Sequence, residues 1–230
     1  LTLCGMVAFG REAWSERGEA FAVLFSYLAR IAPFHPEDGR IRLRWPLTGL
    51  AGAEHVPGSL AFVAVMLGSV AFDGYSRTTT WQDLVARAEG PYIVDRPGLA
   101  ELVGTGLAVW GLLAAVALVA VAYNAACAGA GWLVNAPRPL QPEFLLSLVP
   151  IAFVYELAHY FSLFLTQGQF AIPLLSDPLG RGWNLLGTVN YVPNLAIVSP
   201  NTVWYVQATA LVAGHVAGLT VAHDRAVDVF

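Results

Sequence analysis

The sequence predicts an all-α, polytopic transmembrane helix bundle. Three observations carry that expectation. Of 230 residues, 57% are hydrophobic and only 12% charged, against about a quarter charged in an ordinary soluble domain. The mean hydropathy is +0.59. Four apolar runs approach or exceed the ~20 helical residues needed to cross about 30 Å of hydrocarbon.

The chain opens on "LTLCGMVAF", already apolar, with no initiator Met and no basic leader, and ends on "HDRAVDVF". It reads as a fragment of a longer polytopic protein. Residues 10–58 form a polar stretch around an apolar segment at 20–34. That segment is too short to span and carries Arg30, so it is expected to lie in the membrane interface. "PEDGRIRLRWP" then reads as a turn leading into a short extended stretch. The first span is expected at 59–72, short for the bilayer unless it extends back through Ala51 with His55 and Pro57 near its start; the second at 99–128 has no charge between Leu102 and Tyr123. The third, 144–166, carries Pro150 near its start, and the fourth covers 203–222. Between the spans, 73–98 is polar with a surface helix near 82–89. The segment 167–202 is broken throughout by Pro, Gly and Asn, and is expected to cap the bundle or cover a site.

All twelve basic residues are Arg, which excludes Lys Schiff-base chemistry from this stretch. A lysine-free composition rich in Ala, Gly, Arg and Pro is associated with high-GC bacterial genomes, so a bacterial cell membrane is the expected location. If the four runs span, eight Arg fall on the side of residues 10–58 and four on the other. That asymmetry predicts a cytoplasmic 10–58 side. No basic stripe is available for nucleic acid. Cys4 and Cys127 have no metal-type spacing and read as small apolar residues.

The residues that carry chemistry stand out against this apolar background. "YELAH" sets Glu156 and His159 three residues apart, about 60° around one helix face. Ionisable groups within spans are rare and are functional by default, although polar groups also hold helices together. The last span carries Gln207 and His215, with Ala210, Gly214 and Gly218 forming a row of small residues beside which His215 is expected to face protein. Counted from the expected helix ends, Glu156 is about 15 Å deep and His215 about 18 Å. Glu156, His159 and His215 are therefore candidate metal ligands in one layer, with Glu156 and Asp73 as candidate catalytic carboxylates. Glu-x-x-His alone is a weak metal signature, because carboxylate-bridged sites repeat it on two helices. His223, Asp224 and Arg225 read as an interfacial ion cluster near Asn124, and His35 and His55 as loop residues.

The stretches "FDGYSRTTTW", "NAPRPLQPEFLLSLVPIAFVYELAHYFSLFLTQGQF" and "SPNTVWYVQATALVAGHVAGLTVAHDRA" resemble a group of bacterial multi-pass membrane proteins, some labelled fenitrothion hydrolase. The resemblance implies a phosphotriester hydrolase acting on a small organophosphate-type ester. Such chemistry commonly uses a divalent metal to activate water and polarise the P=O bond. The residues themselves leave several readings open. A membrane-embedded hydrolase, a transporter or permease component with a proton or substrate path, a haem-binding electron carrier using His159 and His215, and a scaffold among other membrane subunits all fit. In each, the lipid bilayer is the principal partner.

Overall fold

A computed structural model describes residues 2–37, 39–53 and 58–230; His55 and Pro57 lie outside the described residues. The chain divides into two compact units, residues 1–152 with 217–230, and residues 153–216. Among the described residues, four helical segments are long and apolar enough to cross a membrane: Ser59–Ser76, Pro97–Leu133, Gln141–Ser176 and Pro200–Val229.

The first unit begins with α1 (Thr2–Phe9), α2 (Arg11–Arg17) and α3 (Ala20–Ile31). Twelve residues give α3 a length of only about 18 Å, so it cannot span. Glu19 caps its first turn by accepting from the Ala22 N–H. Its other end is closed by Arg44, whose guanidinium donates to the carbonyls of Ala29, Arg30 and Ala32 at 2.8, 3.1 and 3.2 Å. Arg44 reaches them from a hairpin, β1 (Phe34–Glu37) paired antiparallel with β2 (Arg40–Leu43). Here the expected extended stretch becomes two strands, with Phe34 opposite Leu43 and Glu37 bridging to Arg42 at 3.2 Å.

After the short α4 (Thr48–Ala51) come α5 (Ser59–Ser76), α6 (Thr79–Glu89) and α7 (Pro97–Leu133). Thr78 caps α6, and Pro97 starts α7 at the one place where a missing N–H costs nothing. α5 and α7 run antiparallel in close contact. A Cβ on Gly68 would lie 2.7 Å from the Val116 Cα, and one on Gly111 would lie 2.4 Å from the Phe72 ring. In lipid, apolar side chains gain nothing by leaving the solvent, so this near-backbone approach supplies the packing that joins the two helices.

α8 (Gln141–Phe144) and one 3₁₀ turn (Leu145–Ser147) lead into α9 (Leu148–Gln167). Pro150 falls in the first turn of α9, where no intrahelical N–H bond is lost. Tyr27, Leu50, Val63, Leu146, Val149 and Val221 form the buried core of the first unit. An ion cluster closes it nearby. Glu143, almost buried, accepts from Arg225 at 2.6 Å and from Arg138 at 3.0 Å, and Arg225 also reaches the Ala51 carbonyl at 3.4 Å. The expected 223–225 cluster is thereby divided. His223 and Asp224 stay exposed 3.7 Å apart, Arg225 turns inward, and Asn124 donates to Ala120 on its own helix.

The second unit holds most of α9, a 3₁₀ turn (Gly168–Phe170), α10 (Ala171–Ser176), an irregular segment, and the start of α11 (Pro200–Val229). Ser199 caps α11 through the Thr202 N–H, with Pro200 at the first helical position.

Two substitutions separate close approach from mere apolarity. Gly68→Val is expected to destabilise the protein by roughly 1–3 kcal/mol through overpacking. Gly106→Ala, with nothing within 4 Å of the added Cβ, is expected to leave stability unchanged or improved. Thermal unfolding in detergent micelles, followed by circular dichroism, measures both.

Candidate functional site

The second unit brings together the polar groups of α9 and the first half of α11. Gly214 lies against Val154, where an added Cβ would overlap the valine side chain. Two turns toward the start of α11, the Gln207 amide donates to the Ala158 carbonyl at 2.8 Å. These two contacts fix the register of α9 against α11 in this unit. They turn Val154 and Ala158 toward α11, which leaves Glu156, about 180° from the middle of that side, and His159, about 120° from it, on the remaining surface of α9.

Glu156 and His159 are both half-buried, three residues apart on α9. His159 also packs edge-on against the Tyr160 ring, with centroids 4.8 Å apart. The pair sits in an α9 that carries no other charged residue. The expectation of a shared face is met by this geometry.

His215 differs from expectation. It is exposed, and its Nδ1 lies 2.7 Å from the Leu211 carbonyl of its own helix. The small-residue row does meet α9 at Gly214, but His215 is about 100° further round the helix and turns away from that contact. Its level is also offset, by about 5 Å along the axis from that of Glu156. The counting from helix ends erred because α11 begins at Pro200, three residues before the expected start. Asp73 belongs to the first unit. It is held by Arg77 one turn along α5, at 3.3 Å.

Among the described residues, no group of three or more His, Cys, Asp or Glu side chains is placed to hold a metal ion. Glu156 and His159 offer two donors on one helix, and His215 is directed elsewhere. This donor set does not fit the divalent centre that phosphotriester hydrolysis calls for, which takes at least three protein ligands as a rule.

Gln169 is the residue that sequence reasoning passed over. Its amide nitrogen donates to the carbonyls of Leu165 and Asn194 at 2.7 and 2.9 Å, and its amide oxygen accepts from the Tyr191 hydroxyl at 2.7 Å and the Asn194 N–H at 2.9 Å. A second knot is centred on Ser176, fully buried. Its hydroxyl donates to the Asn184 side chain at 3.0 Å and accepts from the Leu186 N–H at 3.1 Å. Asp177 accepts from the Arg181 and Gly182 N–H groups. Residues 168–199 are therefore an ordered cap, as expected, stitched by side chains that replace the missing secondary-structure bonds. Only the Gln within "QGQF", next to the helix end, could have signalled it.

Gln169→Leu removes the hydrogen bonds to the Tyr191 hydroxyl and the Asn194 backbone groups, a loss of about 0.5–1.5 kcal/mol for each bond because those partners are exposed. Limited proteolysis is expected to cut the 177–199 segment faster in this variant. His215→Leu, which removes only a bond within its own helix, is expected to match the wild type in the same assay. No family model, curated protein or solved structure matches the chain.

Proposed function

We propose that this chain is part of a transporter or permease of a bacterial cell membrane, in which Glu156 and His159 form a proton-carrying station within the third span. The observation that carries the reading is the half-buried Glu156–His159 pair on one face of α9, with no third metal donor beside it among the described residues. A single proton can reside on the carboxyl or on the imidazole while the pair stays net neutral. Transfer between the two therefore moves a proton along the helix without adding charge to the membrane interior, where net charge is costly. Gln207 supports the station by tying α11 to the Ala158 carbonyl, one residue from His159. The Arg-rich 10–58 side is assigned to the cytoplasm by the excess of Arg there.

The metal-dependent hydrolase implied by the resemblance ranks second. It needs donors beyond the two that α9 supplies, and Asp73 is engaged by Arg77.

The test is proton flux into liposomes containing the protein, driven by a potassium diffusion potential and read with an internal pH dye. The wild type is expected to conduct, and Glu156→Gln to slow the flux by about two orders of magnitude, the scale on which a positioned acid–base group acts. His159→Gln is expected to lower it as well, and Asp73→Asn to leave it unchanged. Equal flux in Glu156→Gln and wild type contradicts the proposal. Stoichiometric zinc, manganese or iron in the purified protein, lost in His159→Ala, selects the hydrolase instead. A Soret band selects a haem carrier.

A further inference from the structure

α7 is far longer than a bilayer requires: 37 residues extend about 55 Å. Its exposed tryptophans mark the part that lies in lipid. Trp110 and Trp132 are 73% and 79% exposed, and both are on α7. They lie 22 residues apart in the sequence, which places them about 33 Å apart along the axis and within about 40° of the same face. That separation matches the ~30 Å hydrocarbon thickness, and tryptophan concentrates at both of its borders. Everything before Trp110 then lies outside the hydrocarbon. This agrees with the placement of Glu101 and of the polar α6, whose Glu89 lies against Gly104 and whose Trp81 lies against Gly111.

Immediately inside that border, α5, α6 and α7 enclose a cleft of about 360 Å³. Phe72, Tyr75 and Trp81 form its upper wall, with the Trp81 ring edge-on to both Phe72 and Tyr75 at centroid distances of 5.1 and 5.7 Å. Ala114, Ala115 and Leu118 form its floor, about 6–12 Å below Trp110. The cleft exists because α7 presents Gly111, Ala114 and Ala115 here while Phe72 and Trp81 are held against Gly111. Its wall is apolar, and it opens onto the exposed surface of α7 carrying Leu113, Leu118 and Val121. Tyr75, about half-exposed, and Arg77, two residues on, stand at the headgroup level above it.

We propose that this cleft is a binding site for the acyl chain of a bilayer phospholipid, the chain lying beneath Trp81 and the headgroup at the level of Tyr75 and Arg77. Depth decides the class of occupant. A water-soluble ligand has no route to a wall inside the hydrocarbon, whereas a lipid chain lies at that depth already and exchanges along a continuous lipid-facing surface. Trp81 is the natural reporter, because it lies at the boundary between the cleft and the headgroup layer.

The experiment compares the protein with variants that fill the cleft, Ala114→Phe and Ala115→Phe, and with Ala122→Phe, which substitutes an exposed position outside it. Each is equilibrated with phosphatidylglycerol in detergent, washed, and its retained lipid counted by native mass spectrometry. Wild type and Ala122→Phe are expected to retain a phospholipid that both filling variants lose several-fold. Phosphatidylglycerol brominated high on its acyl chain is expected to quench the emission attributable to Trp81, taken as wild type minus Trp81→Phe, more strongly than lipid brominated near the chain end. Because Ala114 is exposed, its variant is expected to fold, which circular dichroism checks. Equal lipid retention in all four proteins overturns the proposal. So does a shift from dimer to monomer in the filling variants with lipid retention unchanged, which would assign the cleft to a second copy of the chain.

Discussion

The closeness of helix backbones at glycine is the constraint on which the rest of this structure depends. In water, the apolar faces of α5 and α7 would be driven together by burial. In lipid that drive is absent, and helices associate where small residues allow dense contact and where polar groups bond across the gap. Gly68 against Val116 and Gly111 against Phe72 and Trp81 set α5 beside α7. Gly218 makes a comparable approach to the Ser147 carbonyl and Ile151 in the first unit, and Gly214 to Val154 in the second. Each contact fixes an axial register, and the register decides which polar residues share a level.

The consequences for chemistry follow from that register. With Gly214 at Val154 and Gln207 at Ala158, α9 turns Val154 and Ala158 to α11, Glu156 and His159 lie on its remaining surface, and His215 lies beyond them along α11. The carboxyl–imidazole pair and the cap built on Gln169 and Ser176 belong to the same unit. Two donors and a cross-helix amide suit proton handling better than metal binding. In the first unit the same logic acts on shape. Small residues on α7 admit the aromatic side chains of α5 and α6, and they leave beside them a cleft of about 360 Å³.

Much of the fold was legible because length and apolarity are local properties. The four spans, the short α3, the surface helix at α6 and the capping segment all follow from composition, turn residues and the ~20-residue requirement. Helix ends were less legible. α7 begins two residues before and ends five residues after the expected 99–128, about one and a half turns at its far end, because membrane thickness does not limit helix length. The hairpin at 34–43 was read only as extended, since its pairing depends on a partner strand. At the site, the Glu156–His159 face was legible because three residues along a helix is a fixed angle. His215 was not, because its level depends on where α11 starts and its direction on a bond to Leu211. Gln169 was not, because its partners lie 22–25 residues away in an irregular segment.

The central claim is that Glu156 and His159 act as one proton-sharing pair. It is tested most directly by pH-difference infrared spectroscopy of the protein in lipid bilayers, with Glu156→Gln identifying the Glu156 carboxyl band. Coupling predicts that His159→Ala moves the pH at which that band appears and disappears. An Glu156 band whose pH response is the same with and without His159 would contradict the pair, and with it the proton-carrying station.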